Sequence, residues 1–383
     1  MQSDWRLVWC LWLMGLGAAA QYGKISVVFD RLPEMFPGAG AGVAWAVSLV
    51  GFVGILFGVV AGVLAARIGL RRALLGGCLA AAALSLYQAT APAFVPFLFS
   101  RVAEGVAHLA IVVAAPTLIA QVTAPRGRGF ALTLWGTFFG VAFAVLAWAG
   151  LPLVARFGVT ALFLAHGLYM AAMSAILWPL LPPDGVPAVA ARTDPVAAHL
   201  AVYRSPRIAA PALGWLFYTL VFLSTLTLLP LHVAEGLRGP VQGAMPLISI
   251  VASMTLGVWL LGRMSSVRVI EAGFLTGAVL LVLLAIWPGQ PVVCLVFAAA
   301  LGLVQGASFA AVPELNPSGA DQARANGGLA QMGNLGNTLG TPVFAALLAW
   351  PGYGAMVLCA ALVLGCGFVV HRWLARRRLS GAN

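Results

Sequence analysis

The stretch Gly62-Val63-Leu64-Ala65-Ala66-Arg67-Ile68-Gly69-Leu70-Arg71-Arg72 stands between two long apolar runs, near residues 43–66 and 73–91. Its glycines permit a tight turn and its arginines must stay out of hydrocarbon. Crossing a hydrocarbon core ~30 Å thick takes about 20 apolar residues in a helix. Lipid offers the backbone no hydrogen bonds, so such runs are helices or strands of a closed barrel. Barrel strands alternate apolar with polar residues. These runs are continuously apolar, so the stretch reads as the connection between two transmembrane helices.

The same pattern extends to both ends of the chain. Of 383 residues 62% are hydrophobic and 8% charged, with twelve tryptophans, and the mean hydropathy is +1.00. Soluble domains carry roughly 25% charged residues. The net charge of +11 would suggest nucleic acid in a soluble protein. Here it reads as loop arginines sorted by insertion, which excludes nucleic acid as a partner. Cys10, Cys78, Cys294, Cys359 and Cys366 fall inside apolar runs with no metal or disulfide spacing,. No metal or cofactor is expected. Leu7–Ala20 lacks a small-residue cleavage site and reads as an uncleaved first span,.

Hydropathy and loop punctuation place twelve spans near 5–28, 43–66, 73–91, 94–122, 130–154, 159–181, 208–233, 242–262, 269–287, 292–315, 326–350 and 354–372. Pro182-Pro183, Gly239-Pro240, Pro288-Gly289 and Pro351-Gly352 are read as loop markers,. With twelve spans, Arg6, Arg67, Arg71, Arg72, Arg126, Arg128, Arg192, Arg204, Arg207, Arg263, Arg268, Arg324, Arg372, Arg376, Arg377 and Arg378 share one side. Arg31, Arg156 and Arg238 take the other. The positive-inside rule makes the first side cytoplasmic, with both termini there. The expected organisation is a six-helix bundle over 1–181, a linker over 182–207, a second six-helix bundle over 208–372 and a basic tail over 373–383.

The Gly62–Arg72 stretch resembles the loop signature of the major facilitator superfamily: glycine, three residues, aspartate, arginine, x, glycine, x, arginine, basic. Gly62, Arg67, Gly69, Arg71 and Arg72 match it, and Ala66 stands where the family has its aspartate. In the fourth span, Arg101-Val102-Ala103-Glu104-Gly105 is similar to a second signature of proton-linked members. The helix 4–5 region resembles the prokaryotic branch of cyanate- and nitroimidazole-type transporters and proton-linked exporters. The resemblance implies an all-α membrane protein of twelve helices in two pseudo-symmetric bundles. It also implies a gating loop at Gly62–Arg72 whose latch, lacking the acid, is atypical, and a central path lined by spans 1, 4, 7 and 10.

Arg101, Glu104 and His108 lie within about 60° on one face of span 4,. Charges inside a span are costly, so Arg101 and Glu104 should pair and face the bundle interior. Two readings stand: a proton-coupling site centred on Glu104 with Arg101 and His108, or a structural pair that fixes helix packing. On the path-lining spans the polar candidates are Gln21, Tyr22 and Lys24, the only lysine, with Tyr218, Phe222, Thr225, Gln305 and Ser308. Span 11 adds Gln331, Asn334 and Thr338 at helical spacing, either at the substrate or in interhelical hydrogen bonds,. His166 in span 6 reads as a structural histidine. Glu271 and Glu314 are expected to meet arginines at span ends. Gly136-x-x-x-Gly140 and Gly336-x-x-x-Gly340, with Glu104-Gly105 and Gln305-Gly306, form a faint repeat between the halves,.

These readings point to a monomeric secondary transporter of the inner membrane, moving a small organic solute by alternating access with proton coupling. A cavity biased by Arg101 and Lys24 suits an anionic solute. No Walker loop is present, so ATP is not the driver. A transporter-like sensor or assembly protein is the alternative. A membrane-embedded enzyme is disfavoured, since the histidines are scattered and His-Glu-x-x-His is absent.

Overall fold

A computed structural model describes residues 3–184 and 195–380, apart from the side chains of Val63, Ala66 and residues 195–198. Arg192 therefore lies outside the described residues, and so does the side chain of Ala66. Among the described residues, twelve helical spans follow one another. They are α1 (Trp5–Ser26), α2 (Gly40–Phe57, resumed by Ala61–Ile68), α3 (Leu70–Ala89), α4 (Phe94–Val122), α5 (Pro125–Phe157) and α6 (Val159–Leu180). After a short linker helix, Pro195–Arg204, come α7 (Ala209–His232), α8 (Glu235–Leu261), α9 (Ser266–Ile286), α10 (Pro291–Leu315), α11 (Gly319–Ala349) and α12 (Tyr353–Ser380). Ten of these are long and apolar enough to cross a membrane; α1 and α11 are long but more polar. Their polar residues include the candidates Gln21, Tyr22, Lys24, Gln331, Asn334 and Thr338.

Most ends fall within a few residues of expectation. The larger departures have local reasons. α8 starts at Glu235, seven residues before the expected 242, and runs through Gly239-Pro240. One proline deletes a single backbone bond, which a membrane helix tolerates. α11 begins at Gly319, where Ser318 caps it by accepting from the Asp321 N–H at 3.1 Å,. α12 continues to Ser380, so residues 373–380 are helical.

The chain divides into two compact units, Met1–Val53 with Val60–Arg192, and Gly54–Val59 with Thr193–Asn383. In the first, Leu7, Val8, Leu11 and Met14 of α1 pack with Leu74 and Cys78 of α3, Ile111 and Leu118 of α4, and Met170 of α6. Cys78 is buried in this core. In the second, α7 and α11 meet almost backbone to backbone. A Cβ on Gly336 would strike Thr219, one on Gly340 the Leu220 carbonyl, and one on Gly333 would lie 2.6 Å from Trp215 Nε1. Small residues are the usual means of such close approach in lipid.

Candidate functional site

The first unit encloses a group of ionised side chains. Lys24, Arg101 and Glu104 are each 0% exposed. Lys24 Nζ lies 2.7 Å from Glu104 Oε1, and the Arg101 guanidinium pairs with Glu104 Oε2. Gln88 Nε2 donates to the same oxygen at 2.8 Å and to Ser100 Oγ at 2.9 Å. Glu104 thus accepts from α1, α3 and its own helix. Arg101 also donates to backbone: Nε to the Ala46 carbonyl at 2.7 Å, and a terminal nitrogen to the Gln21 carbonyl. The site ties together α1, α2, α3 and α4. Buried charges persist only when paired and hydrogen-bonded, and here the sequence spacing and the tertiary contacts supply both.

The arrangement is possible because the helices approach closely around it. A Cβ on Gly105 would lie 2.5 Å from the Val50 carbonyl, and one on Gly17 would strike the Met170 sulfur. Glycine at these two positions brings α4 against α2 and α1 against α6.

His166 of α6 joins the group. Its Nε2 lies 2.9 Å from the Gly17 carbonyl, its Nδ1 2.9 Å from Ser85 Oγ and 3.4 Å from Lys24 Nζ. Lys24 also donates to Ser85 Oγ at 2.8 Å. His166 is a hydrogen-bonded structural histidine that α6 also delivers to the ion cluster. His108 takes a different path from the expected one. Its Nδ1 faces the Ala18 carbonyl at 3.0 Å and Gln21 Oε1 at 3.2 Å, and its ring meets Tyr22 edge-on. Its hydrogen bonds go to α1 and not to Glu104.

The remaining candidates divide by unit. In the first, Gln21 and Tyr22 are buried beside the cluster, and Gln21 Nε2 and Tyr22 Oη have no hydrogen-bond partner. In the second, Trp215, Tyr218 and Phe222 form a stack, with centroids 4.4 and 5.0 Å apart. Thr225 and Ser308 donate to their own helices at Val221 O and Val304 O, both 2.7 Å, so those hydroxyls are internally satisfied. Gln305 is half-buried. Gln331 accepts from Tyr203 Oη at 2.7 Å and donates to Ile55 O at 3.0 Å, while Asn334 donates to Ala330 O at 2.7 Å. Thr338 and Thr341 are buried with unpartnered hydroxyls.

At the loop between α2 and α3, Gly69 adopts φ 99°, and a Cβ there would strike the Asp184 carboxylate. Asp184 accepts from the Arg71 N–H at 2.8 Å and the Arg72 N–H at 3.2 Å, capping α3 from beyond the end of α6. Arg71 reaches back to the Leu181 and Trp178 carbonyls. Arg67 is exposed and Gly62 faces open space. The loop thus has an acid partner that the motif alone does not contain. Near the ends of α9 and α12, Glu271 meets Arg372 at 3.6 Å, as expected; Glu314 accepts from the Ser266 N–H at 2.9 Å and lies within electrostatic reach of Arg378.

Twelve helices in two units, with a charged cluster buried inside one of them, describe a polytopic membrane protein. The profile of the Major Facilitator Superfamily matches residues 7–320, and the chain belongs to that family. Its fold is similar to the crystal structure of a variant of the E. coli fucose:proton symporter FucP. The TM-score is 0.67 at 14% identity, over 96% of this chain and 98% of the other. No curated protein matches the sequence significantly. The chain is accordingly a multi-pass secondary transporter and not an enzyme.

Proposed function

We propose that the protein moves a small organic anion across the cytoplasmic membrane by alternating access, coupled to protons, with both termini inside. The observation that carries this reading is the charge count of the buried cluster: two cations, Lys24 and Arg101, share one carboxylate, Glu104. One positive charge is left over in a site without exposed surface. A buried excess charge is costly, and an anionic solute or the loss of one proton offsets it. The arginine-rich loops support the orientation. The likeness to a fucose:proton symporter supports proton coupling.

A second reading has its own observation. The Trp215–Tyr218–Phe222 stack and the unpartnered Tyr218 and Thr338 hydroxyls suit a hydroxyl-rich neutral solute,. Uptake into proteoliposomes under an imposed pH gradient, with radiolabelled small carboxylates in one arm and neutral sugars in the other, separates the two. The proposal expects carboxylate uptake that collapses with the gradient and is lost in Glu104→Gln. Gradient-independent uptake, or unchanged uptake in Glu104→Gln, overturns coupling at this cluster. Thermal shifts by solutes that are never taken up would favour a sensor.

A further inference from the structure

His166 holds an arrangement that the pairing of Lys24 with Glu104 does not require. A carbonyl oxygen only accepts, so the contact of His166 Nε2 with the Gly17 carbonyl at 2.9 Å fixes the hydrogen on Nε2,. In the neutral ring Nδ1 then carries a lone pair, and that lone pair faces Lys24 Nζ at 3.4 Å. Ser85 lies between them, 2.8 Å from Lys24 Nζ and 2.9 Å from His166 Nδ1, with its own oxygen 2.9 Å from the Phe163 carbonyl.

We propose that Lys24 is the group through which this bundle takes up and releases its proton, with His166 Nδ1 as the immediate acceptor. The inference rests on the proton-coupled reading above and names the carrier within it. In the step, one N–H bond of the Lys24 ammonium breaks and an N–H bond forms at His166 Nδ1. Lysine becomes a neutral amine, the imidazole becomes imidazolium, and the total charge is unchanged. The product imidazolium finds acceptors at both ring nitrogens. The imidazolium donates from Nδ1 to Ser85 Oγ and from Nε2 to Gly17 O, while the Ser85 hydroxyl donates to Phe163 O. His166 is the more accessible partner, at 6% exposure against 0% for Lys24 and Glu104.

The charged and titratable groups facing Lys24 are Glu104 and Arg101 from α4 and His166 from α6, with Ser85 from α3. His108 is bonded to the Ala18 carbonyl and Gln21 Oε1, with its ring edge-on to Tyr22. Glu104 keeps its Arg101 partner throughout, within one helix. Proton transfer therefore weakens the one ionic link between α1 and α4, converting ammonium–carboxylate to amine–carboxylate, and leaves the helix-internal pair intact. Charge-assisted bonds are about twice as strong as neutral ones, so the step loosens α1 from α4. This gives helix movement a chemical trigger.

Lys24 is the only lysine in the chain, so one side-chain ¹⁵N label reports it without assignment. The test uses the full protein in lipid nanodiscs, labelled with ¹⁵Nζ-lysine, ring-¹⁵N histidine and carboxyl-¹³C glutamate, titrated by NMR over the range in which it stays folded. The expected result is a single ammonium-to-amine step at Lys24, a His166 ring with its hydrogen on Nε2 in the amine-free state, and a His166 Nδ1 signal that moves at the same midpoint. Lys24→Gln should abolish the His166 movement, and His166→Gln, checked for folding by its melting curve, should shift the Lys24 midpoint. The inference is overturned if Lys24 stays ammonium throughout, or if the His166 hydrogen proves to sit on Nδ1. A Glu104 carboxyl that titrates while Lys24 does not would overturn it yet keep proton coupling at the cluster. Silence from both residues would remove the coupling reading as well.

Discussion

The two units solve the same packing problem with different materials. In each, a glycine on the fourth helix of its half admits a neighbour's carbonyl: Gly105 faces Val50 O in the first unit, and Gly302 faces Ser249 O in the second. The chemistry beside that shared contact differs. The first unit places Arg101, Glu104 and Lys24 there with no exposed surface. The second has Gln305 and Ser308, and Ser308 is spent on its own helix. Among the described residues, the ion pairs of the second unit lie at its periphery: the arginines of Glu271–Arg372 and Asp321–Arg324 are 56% and 55% exposed. Its closest seam, α7 on α11, is made of glycine and backbone. One unit is held by charge, the other by contact.

That contrast is breakable. The largest effect is expected from Glu104→Leu, which strands two buried cations. Loss of one partner of a buried pair costs about 3–5 kcal/mol, so the melting temperature in detergent should fall steeply. The corresponding Gln305→Leu should stay within about 1 kcal/mol of wild type. Equal effects would erase the distinction between the units. Next comes the seam. Gly340→Val puts side-chain atoms into the Leu220 backbone and should cost about 1–3 kcal/mol. Gly136→Ala, where a Cβ meets open space, should stabilise by up to about 1 kcal/mol, since glycine is disfavoured inside helices. A destabilised Gly136→Ala would show that the repeat carries the same packing role in both halves.

Smaller effects sharpen the picture. Asp184→Ala removes the acceptor that caps α3 and should cost about 1 kcal/mol, with faster hydrogen exchange at the Arg71 and Arg72 amides as the local readout. The Arg72 ion pair adds little, because that arginine side chain is 74% exposed,. Thr338→Val is expected to be the mildest. Its hydroxyl has no partner to lose, so stability should hold within about 0.5 kcal/mol, and any loss of solute binding would then report a direct contact.

Part of the site was legible in the chain. Residues three apart on a helix must meet, so Arg101 and Glu104 announced their pairing, and a lone lysine within an apolar span announced that it needed an anion. What joins Lys24 to Glu104 across 80 residues of chain has no sequence signal of its own. His166 reads as a structural histidine from its span, and only the tertiary structure places it beside Lys24. The signal that would have found it is weak: Gly17 and Ser85 are small residues in apolar helices, and such residues also mark ordinary close packing. His108 shares the face of Glu104 in the sequence yet turns to Ala18 and Gln21. Asp184 lay in a segment read as linker, and its cap on α3 depends on how α6 ends.

The sequence by itself determined that twelve helices cross the membrane and which of them carry costly groups. Both follow from rules that act on each segment separately: hydrocarbon must be spanned by apolar helix, and charge must be kept from it. The tertiary structure decided the partners. Lys24 reaches Glu104, His166 reaches Lys24, and Gly336 accepts Thr219 because helices distant in the chain pack at particular depths and rotations. Those depend on the summed fit of many side chains, which no local pattern encodes.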